Sequence, residues 1–216
     1  MAQTFPLAVE FFAGLPVAEC TMDLPSVMQV SRTRGGSITT AKLSERLWTA
    51  QVTLAQMRHR VAGGVEAQLS ALAEPARSLL IHALPYLGPA YDPGAVLLSG
   101  ASPALHTISG DLREIRISGL PIGFEMTAGD FLSFAYGSSP VRYAFHRVVV
   151  GATADAAGLT PLIEVTPALS PGATTSAAVV LDRPFFRAIL MPGKPGRSRR
   201  VFTDGVTLDL IQTLGA

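Results

Sequence analysis

The chain has 216 residues, of which 48% are hydrophobic and 15% are charged, and its formal net charge is +1. That length allows one large domain or two small ones with a buried core. The near-neutral charge removes any general electrostatic basis for binding nucleic acid or an anionic membrane. The single cysteine, Cys20, excludes an intrachain disulfide and a cysteine-rich zinc site. A charged fraction this low indicates that partners cover much of the surface.

The chain shows no membrane-targeting pattern. Its apolar runs are as long as strands and too short to cross a bilayer. Residues 1–16 lack a basic segment and are interrupted by Pro6, Glu10 and Pro16, which does not fit a signal peptide. We therefore expect a protein that is made in the cytoplasm and is not inserted into a membrane.

The amino-terminal part predicts a long two-stranded ribbon. Residues 26–33 are rich in β-forming side chains, and residues 34–37, which read RGGS, are typical of a hairpin turn. Residues 38–55 continue as strand, and Leu43 and Trp48 are among the side chains that we expect in the core.

A change to helical spacing follows the ribbon. Apolar side chains recur every three or four residues from Met57 to Leu72, which predicts one amphipathic helix. Gly63 and Gly64 weaken this helix by about 1 kcal/mol each relative to alanine. Pro75 ends it.

Short strands at roughly ten-residue spacing, bounded by Gly, Pro, Ser or Asp, predict a small β-barrel or β-sandwich in the middle of the chain. Its clearest element is a hairpin, in which residues 137–140 join strands at residues 131–136 and 141–150. The other predicted strands of this section are residues 95–99, 105–109, 114–118, 162–165 and 177–181.

Two further strands, residues 185–191 and 206–214, flank an arginine-rich loop near the carboxyl end. Because two strands are marginal alone, we expect them to return to the amino-terminal sheet. The predicted fold is mainly β, a sandwich or barrel type with one α-helix packed on the first domain's sheet. Residues 1–85 and 183–216 would form that first domain, and residues 86–182 a β-rich domain inserted into it.

No pattern in the sequence predicts catalysis or a cofactor. The four histidines are scattered, without the spacing that sets metal ligands on one face. A hydrolase triad could combine Ser133, His146 and Asp130, but Ser133 lies within a predicted strand and lacks a G-x-S-x-G turn. The glycine pairs lack a phosphate-binding pattern. We therefore expect no catalytic residue, no metal and no cofactor.

Positive charge is concentrated in the late loop. The basic cluster comprises Arg187, in the first of the last two predicted strands, and Lys194, Arg197, Arg199 and Arg200, in the loop between those strands. No aromatic residues interleave with them, which argues against stacking on single-stranded nucleic acid. Two interpretations stay open, a solvated loop and a contact with an acidic neighbouring subunit.

The order of several short motifs resembles a known family. The motifs are WTAQVTLAQM at residues 48–57, VEAQLSAL at 65–72, GDFLSF at 129–134, RYAFHRV at 142–148 and EVTPAL at 164–169. In this order they resemble the distal tail proteins of long-tailed phages and their relatives in gene transfer agents. The resemblance extends over residues 40–190.

This resemblance implies a structural protein of the virion tail tip rather than an enzyme. In that family a domain of β-sheet plus one helix forms a hexameric ring below the tail tube, and a second β-domain lies outside it. The implied partners are further copies of the chain, the tail tube protein and the hub or fibre proteins, without recognition of a nucleic-acid sequence. The ribbon would contact the neighbouring subunit. The expected contact residues are Arg32, Arg34, Lys42, Arg46, Arg197, Arg199 and Arg200.

Two alternatives stay open. Another tail component, such as a tube or tube-terminator protein, would also form rings but would lack the inserted domain. A carbohydrate-binding module for host attachment would need exposed aromatic rings, for which Tyr136 and Tyr143 are the candidate glycan contacts. The single tryptophan, Trp48, falls outside the middle section.

Overall fold

Strands dominate the protein. The computed structural model describes residues 3–192, 197–198 and 202–215, with only the backbone described for residues 197, 198 and 202. Strands make up 39% of the structure and helices 9%, which confirms the predicted mainly-β fold. Within the described residues, no helix is both long and apolar enough to span a bilayer.

In chain order the described elements are α1 (Val9–Ala13), β1 (Val17–Asp23), β2 (Met28–Arg32), β3 (Ile38–Lys42), β4 (Thr49–Leu54), β5 (Met57–Arg58), α2 (His59–Leu72), β6 (Leu79–His82), β7 (Ala104–Ile108), β8 (Glu114–Ser118), β9 (Glu125–Met126), β10 (Phe131–Tyr136), β11 (Arg142–Val150), β12 (Ala152–Thr153), β13 (Ile163–Thr166), β14 (Val179–Val180), β15 (Phe185–Leu190), β16 (Arg197–Ser198), β17 (Phe202–Asp204) and β18 (Thr207–Gln212).

The first sheet is antiparallel and has five strands in the order β1-β4-β18-β15-β6. Its members come from both ends of the chain, because β15 and β18 pair beside strands of the amino-terminal part. Every second residue of β4 and β18 is buried, as at Val52 and Leu208. One face of the sheet therefore covers a core, and the other face points away from it.

Helix α2 packs on this first core. It begins at His59, later than the predicted Met57, because Met57 and Arg58 form strand β5 and pair with β17. Its buried side chains are Ala62, Leu69 and Leu72, and all three belong to the first core. The predicted helix is confirmed, and Leu69 and Leu72 of its apolar stripe are buried, whereas Val61 of that stripe is 55% exposed and Ala62 faces the core instead.

The second sheet closes into a barrel. Its six strands run in the order β14-β10-β11-β13-β8-β7. The two edges meet because Leu105 N–H donates to the Ala177 carbonyl and Val179 N–H donates to the Pro103 carbonyl, both at 2.9 Å. Buried apolar side chains such as Phe134 fill the interior. A closed sheet leaves no free edge that could pair with another chain.

Hairpin β10–β11 is a wall between the two cores. Alternate side chains of a strand point to opposite faces of its sheet. Phe131 and Phe145 accordingly join the first core, whereas Leu132 and Phe134 fill the barrel. The predicted hairpin is confirmed as a pair of strands. The division of the chain into two domains stays a prediction, because both cores share this wall.

The predicted ribbon is wrong in its second half. Strands β2 and β3 pair from Met28↔Lys42 to Arg32↔Ile38, whereas β4 leaves the ribbon and joins the first sheet. Leu43 is 63% exposed, so it is not the core residue that the sequence predicted. Trp48 is 1% exposed and does lie in the core.

Residues 95–99 do not form the predicted strand. Asp92, which is 4% exposed, accepts hydrogen bonds from Val96 N–H and Leu98 N–H, both at 3.0 Å. These side-chain bonds satisfy backbone donors that a strand would use for pairing. The segment therefore folds as a series of turns despite its apolar composition.

Candidate assembly interface

Hairpin β2–β3 contains the longest exposed run of the described residues. Every residue from 26 to 45 is exposed, and among the described strands β2 and β3 pair only with each other. Thr33 N–H donates to the Ser37 carbonyl at 2.9 Å and closes the turn. Gly36 has a φ of 86° there, which glycine adopts without steric cost. We call residues 26–45 the arm.

The arm has two different faces. Its register places alternate side chains on the same side of the hairpin. One face carries three large apolar side chains, two cations and one threonine, namely Met28, Val30, Ile38, Arg32, Lys42 and Thr40. The opposite face carries uncharged and mostly short side chains, namely Gln29, Ser31, Thr39 and Ala41. The first face is therefore suited to a surface that combines apolar groups with carboxylates.

Arg46 fixes the base of the arm. Its guanidinium donates to the carbonyl oxygens of Leu24 and Pro25, and the Nε–oxygen distance to Pro25 is 3.3 Å. Leu43 N–H also donates to the Val27 carbonyl, at 3.1 Å. Arg46, one of the predicted contact residues, is thus engaged within its own chain, where it braces the point at which the arm leaves the sheet.

The other predicted contact residues of the ribbon lie on the arm. Arg32 and Arg34 are exposed. Lys42 is exposed too, and its Nζ is 2.6 Å from a carboxylate oxygen of Glu45. A surface ion pair of this kind contributes little to stability and exchanges readily with another partner. The role of these cations in a subunit contact stays a prediction.

The late basic loop is only partly described. Arg199 and Arg200 lie outside the described residues, and Arg197 is described only in its backbone. Arg187 lies on β15, apart from that loop, and its Nε donates to the Ser78 hydroxyl at 2.7 Å. The contacts predicted for the loop stay predictions.

The first sheet has an outer face on the side opposite to its core. Along β1, β4 and β18, alternate residues point to this side and are exposed or half-buried. They are Glu19, Thr21, Asp23, Thr49, Gln51, Thr53, Thr207, Asp209 and Ile211. Gln51 Nε2 donates to Asp209 Oδ1 at 3.0 Å. All charged members of this set are carboxylates. We call this surface the outer face.

Cys20 lies on β1, on the core side of the same sheet. Its burial raises the pKa of the thiol, and a hydrogen bond from the Leu84 backbone partly opposes that effect. The Cys20 side chain packs against the first core.

The two candidate glycan contacts have different environments. Tyr136 is 4% exposed and belongs to the core of the barrel. This burial argues against the predicted glycan contact, because a sugar needs a free ring face. Tyr143 is half-buried, and its ring centroid lies 5.4 Å from that of Phe185. A glycan contact at Tyr143 stays a prediction.

Ser133, His146 and Asp130 do not form a triad. The register of β10 with β11 points Ser133 and His146 to opposite faces of the sheet. Ser133 Oγ accepts a hydrogen bond from Phe185 N–H at 3.0 Å. The carboxylate of Asp130 accepts two backbone N–H groups, at 2.9 and 2.8 Å, and so fixes the turn before β10. Each residue therefore has a structural contact of its own.

His146 is buried in the barrel and uncharged. Its Nδ1 lies 2.8 Å from the Pro167 carbonyl oxygen, which can only accept, so Nδ1 carries the proton. Nε2 is buried without a hydrogen-bond partner among the described residues. Burial lowers the pKa of His146 to about 4, and the bond to Pro167 opposes this shift. The ring stacks on that of Phe134, with the two centroids 5.6 Å apart.

Trp48 links the first sheet to the barrel, a contact that the sequence did not predict. Its ring makes edge-to-face contacts with the rings of Phe131 and Phe145, at centroid distances of 5.7 and 5.2 Å. The Arg147 guanidinium lies 5.2 Å from the centroid of the same ring. The sequence shows one tryptophan at the start of a strand and an aromatic-rich hairpin far along the chain. Neither pattern predicts that the tryptophan contacts the hairpin.

Among the described residues, no group of three or more His, Cys, Asp or Glu side chains is placed to hold a metal ion. No protein-family model matches the chain, and no curated protein is significantly similar to it. The resemblance to distal tail proteins therefore rests on the short motifs and their order. The arm and the outer face are the surfaces from which function can be argued.

Proposed function

We propose that this protein is a structural, non-enzymatic component of a phage-type tail tip and that it assembles as a closed ring. In this role it connects the tail tube to hub or fibre proteins within the virion. Its first partners are further copies of itself, and it needs no cofactor because contacts between subunits do the physical work. The tail-tip setting is supported by the motif resemblance, and self-assembly is supported by the arm.

The arm is the observation that carries the proposal. An isolated two-stranded hairpin is marginally stable in water. Yet the arm keeps Met28, Val30 and Ile38 between 51% and 59% exposed on one face. Burying such a side chain fully stabilises a complex by about 1.5–3 kcal/mol. A subunit that covers this face would therefore stabilise both the arm and the assembly.

A contact made by the arm is compatible with a ring. The arm and the surface that receives it are different parts of the chain, so the contact can run head to tail from one copy to the next, whereas reciprocal exchange of arms between two copies would give a dimer. Heterologous contacts close into rings when the rotation between subunits divides a full turn, and otherwise they produce filaments. A hexameric ring is the size that the motif resemblance implies.

The barrel suits the role of a peripheral domain. Trp48 Nε1 and Gln212 Nε2, both from the first sheet or its border, donate to carbonyl oxygens of β11, at 2.9 and 3.5 Å. Tyr86 OH donates to the Phe131 carbonyl at 3.3 Å. These bonds hold the barrel in a fixed orientation on the first sheet. A ring of such subunits would carry its barrels in equivalent positions.

Light scattering over a range of protein concentrations, with negative-stain images of the same samples, tests the proposal. We expect wild-type protein to form hexameric rings. A matched variant replaces residues 28–42 with a short Gly-Ser linker. Because β2 and β3 pair only with each other among the described strands, this variant should keep the fold of the rest of the chain, lose only the arm's own contribution to the circular dichroism spectrum, and stay monomeric. Wild-type protein that is monomeric at every concentration would contradict the proposal.

A glycan array separates this proposal from the carbohydrate-binding alternative. The structural role predicts no specific glycan signal from the wild-type protein. A specific signal that disappears in Tyr143→Ala, together with a monomeric wild type, would support the binding module instead. The exposed position Tyr91, which is 47% exposed, provides a matched control as Tyr91→Ala.

A further inference from the structure

We propose that the arm of one copy docks across the outer face of the first sheet of a second copy. This inference rests on the proposed self-assembly and adds the surface that receives the arm. The occupant of the outer face is thus the hairpin β2–β3 of a neighbouring subunit, with its apolar and cationic face turned toward the sheet.

The outer face is a sheet surface on which no described strand or helix of the same chain forms a second layer. The register sets Thr21, Gln51 and Asp209 side by side across three strands, and all three are exposed or half-buried. Val52, which alternates with Gln51, has 0% exposure because it faces the core. Two sheets that pack face to face lie about 10 Å apart. A two-stranded hairpin can supply such a layer.

The charges of the two surfaces are opposite in sign. Glu19, Asp23 and Asp209 are the charged side chains of the outer face. The facing side of the arm carries Arg32 and Lys42. Opposite charges across an interface steer the encounter and fix the register, and they exclude orientations that bring like charges together. Charge complementarity therefore supports the arm as the segment that binds the outer face.

The spacing of these charges also matches. On the arm, Arg32 pairs with Ile38, which is four residues from Lys42 on the same face. On β1, Glu19 and Asp23 are likewise four residues apart on one face. At a rise of about 3.3 Å per residue, the two cations are about 13 Å apart along the direction of the arm, and the two carboxylates are about 13 Å apart along β1. One cation can therefore meet one carboxylate at each end of the contact.

The outer side of the first sheet also offers apolar side chains to those of the arm. Ile211 on β18 pairs with Ile189 on β15, which is 36% exposed. These two isoleucines form an apolar strip beside the carboxylates, where the apolar side chains of the arm can be buried. Arg187 of β15 is held by its hydrogen bond to Ser78, at 2.7 Å. A hydrogen bond to a neutral hydroxyl leaves the guanidinium charged, but β4 and β18 separate it from the carboxylates of β1, where the cations of the arm would lie.

Charge reversal in the full-length protein tests this contact. The arm variant carries Arg32→Glu and Lys42→Glu, and the face variant carries Glu19→Lys and Asp23→Lys. All four positions are exposed, so both variants should fold. We expect each variant alone to need about tenfold or more protein for half-assembly, because like charges then face each other. The deficit should shrink as salt is raised, since the Debye length is about 10 Å at 0.1 M.

An equimolar mixture of the two variants provides the specific readout. The acidic arm of the first variant meets the basic outer face of the second, and the basic arm of the second meets the acidic outer face of the first. Assembly should therefore return to near the wild-type concentration dependence. The matched control carries Arg60→Glu and Glu66→Lys on α2, where both residues are exposed. It should assemble like the wild type.

The outcomes separate this inference from the proposed function. If the wild type never assembles, the proposed ring fails, and the docking surface fails with it. If the wild type assembles and the face variant assembles equally well, self-assembly stands but the arm docks elsewhere. Loss of assembly in both variants without recovery in their mixture would also overturn the proposed contact.

Discussion

The indole Nε1 of Trp48 donates a 2.9 Å hydrogen bond to the carbonyl oxygen of Phe145, although 97 residues separate the two in the chain. Trp48 stands immediately before β4 of the first sheet, and Phe145 lies on β11 of the barrel wall. The bond therefore ties two separate sheets together at a point where both are packed with aromatic rings. A side chain in this position affects the whole molecule rather than one sheet.

Replacing Trp48 with alanine should lower the free energy of unfolding by about 3–5 kcal/mol, because a large buried ring is removed and leaves a cavity. Trp48→Phe keeps most of the ring and loses the hydrogen bond, so we expect a smaller loss of about 1–2 kcal/mol. Urea denaturation followed by circular dichroism measures both. Val96→Ala, at a position that is 73% exposed, is the control and should change stability by less than about 0.5 kcal/mol.

The buried His146 should make the protein sensitive to mild acid. Its pKa is lowered to about 4 in the folded state, whereas an unfolded histidine titrates near about 6.5. The unfolded chain therefore binds the proton first, and stability is complete above about pH 6.5 and falls as the pH drops towards 4. This difference corresponds to a loss of about 3 kcal/mol over that range.

The measurement for His146 is a comparison of urea denaturation from pH 7.5 to pH 4.5 in the wild type and in His146→Gln. The comparison is needed because burial also lowers the pKa of His82, with a further contribution from Arg183. Protonation of His82 therefore lowers the stability of both proteins on acidification. The variant should lose clearly less stability on acidification than the wild type. Equal losses would show that His146 does not control the acid response.

Local alternation predicted those strands whose partners lie nearby. Strand β8 has the predicted bounds, Glu114–Ser118, and hairpin β10–β11 lies where its period of two indicated. The strand prediction for residues 95–99 is wrong because the carboxylate of Asp92 accepts hydrogen bonds from two of their N–H groups. An apolar run cannot reveal a competing acceptor that precedes it in the chain. The core prediction for Leu43 is wrong because this residue lies on the arm, just after β3, and outside both cores.

The candidate interface was visible in the sequence only in part. The cations of the arm could be named from the RGGS turn and its flanking strands. The outer face could not, because it forms only when β1 and β4 pair with β18, whose residues are far apart in the chain. The burial of Tyr136 could have been predicted, since it alternates on the same side as Leu132 and Phe134. Long-range register, rather than composition, is the missing information.

A pair of glycine substitutions should have opposite effects on stability. A Cβ at Gly151 would lie 1.9 Å from the Met126 carbonyl oxygen, so Gly151→Ala forces the backbone at the barrel end to move. We expect a loss of about 1–3 kcal/mol. Gly63 is in α2, and a Cβ there meets no atom within 4 Å. Gly63→Ala should therefore stabilise the protein by about 0.5–1 kcal/mol.

Thermal and urea denaturation of both glycine variants measure these changes. They also test two parts of the structure at once, because Gly151 belongs to the barrel and Gly63 to the helix on the first sheet. If Gly151→Ala leaves stability unchanged, the backbone at Met126 moves to accept the added methyl group at little cost. A destabilising Gly63→Ala would mean that the outward side of α2 is covered by another part of the chain.

The brace at Arg46 should control the mobility of the arm without controlling the fold. Arg46→Met keeps the aliphatic stem and removes the hydrogen bonds to Leu24 and Pro25. The base of the arm should then open more often, so trypsin should cut after Arg32 and Arg34 several times faster than in the wild type. Global unfolding should change by about 1 kcal/mol or less, because the arm lies outside both cores.

Limited proteolysis of monomeric samples, read by mass spectrometry, measures the cleavage rates in the arm. Arg142→Met is the control, since Arg142 is exposed on the barrel and should leave those rates unchanged. The Arg46→Met protein should also assemble at higher concentration than the wild type, because a mobile arm loses more conformational freedom on docking. Equal cleavage and equal assembly would mean that the arm is held by its own turn and strands, and that Arg46 is dispensable.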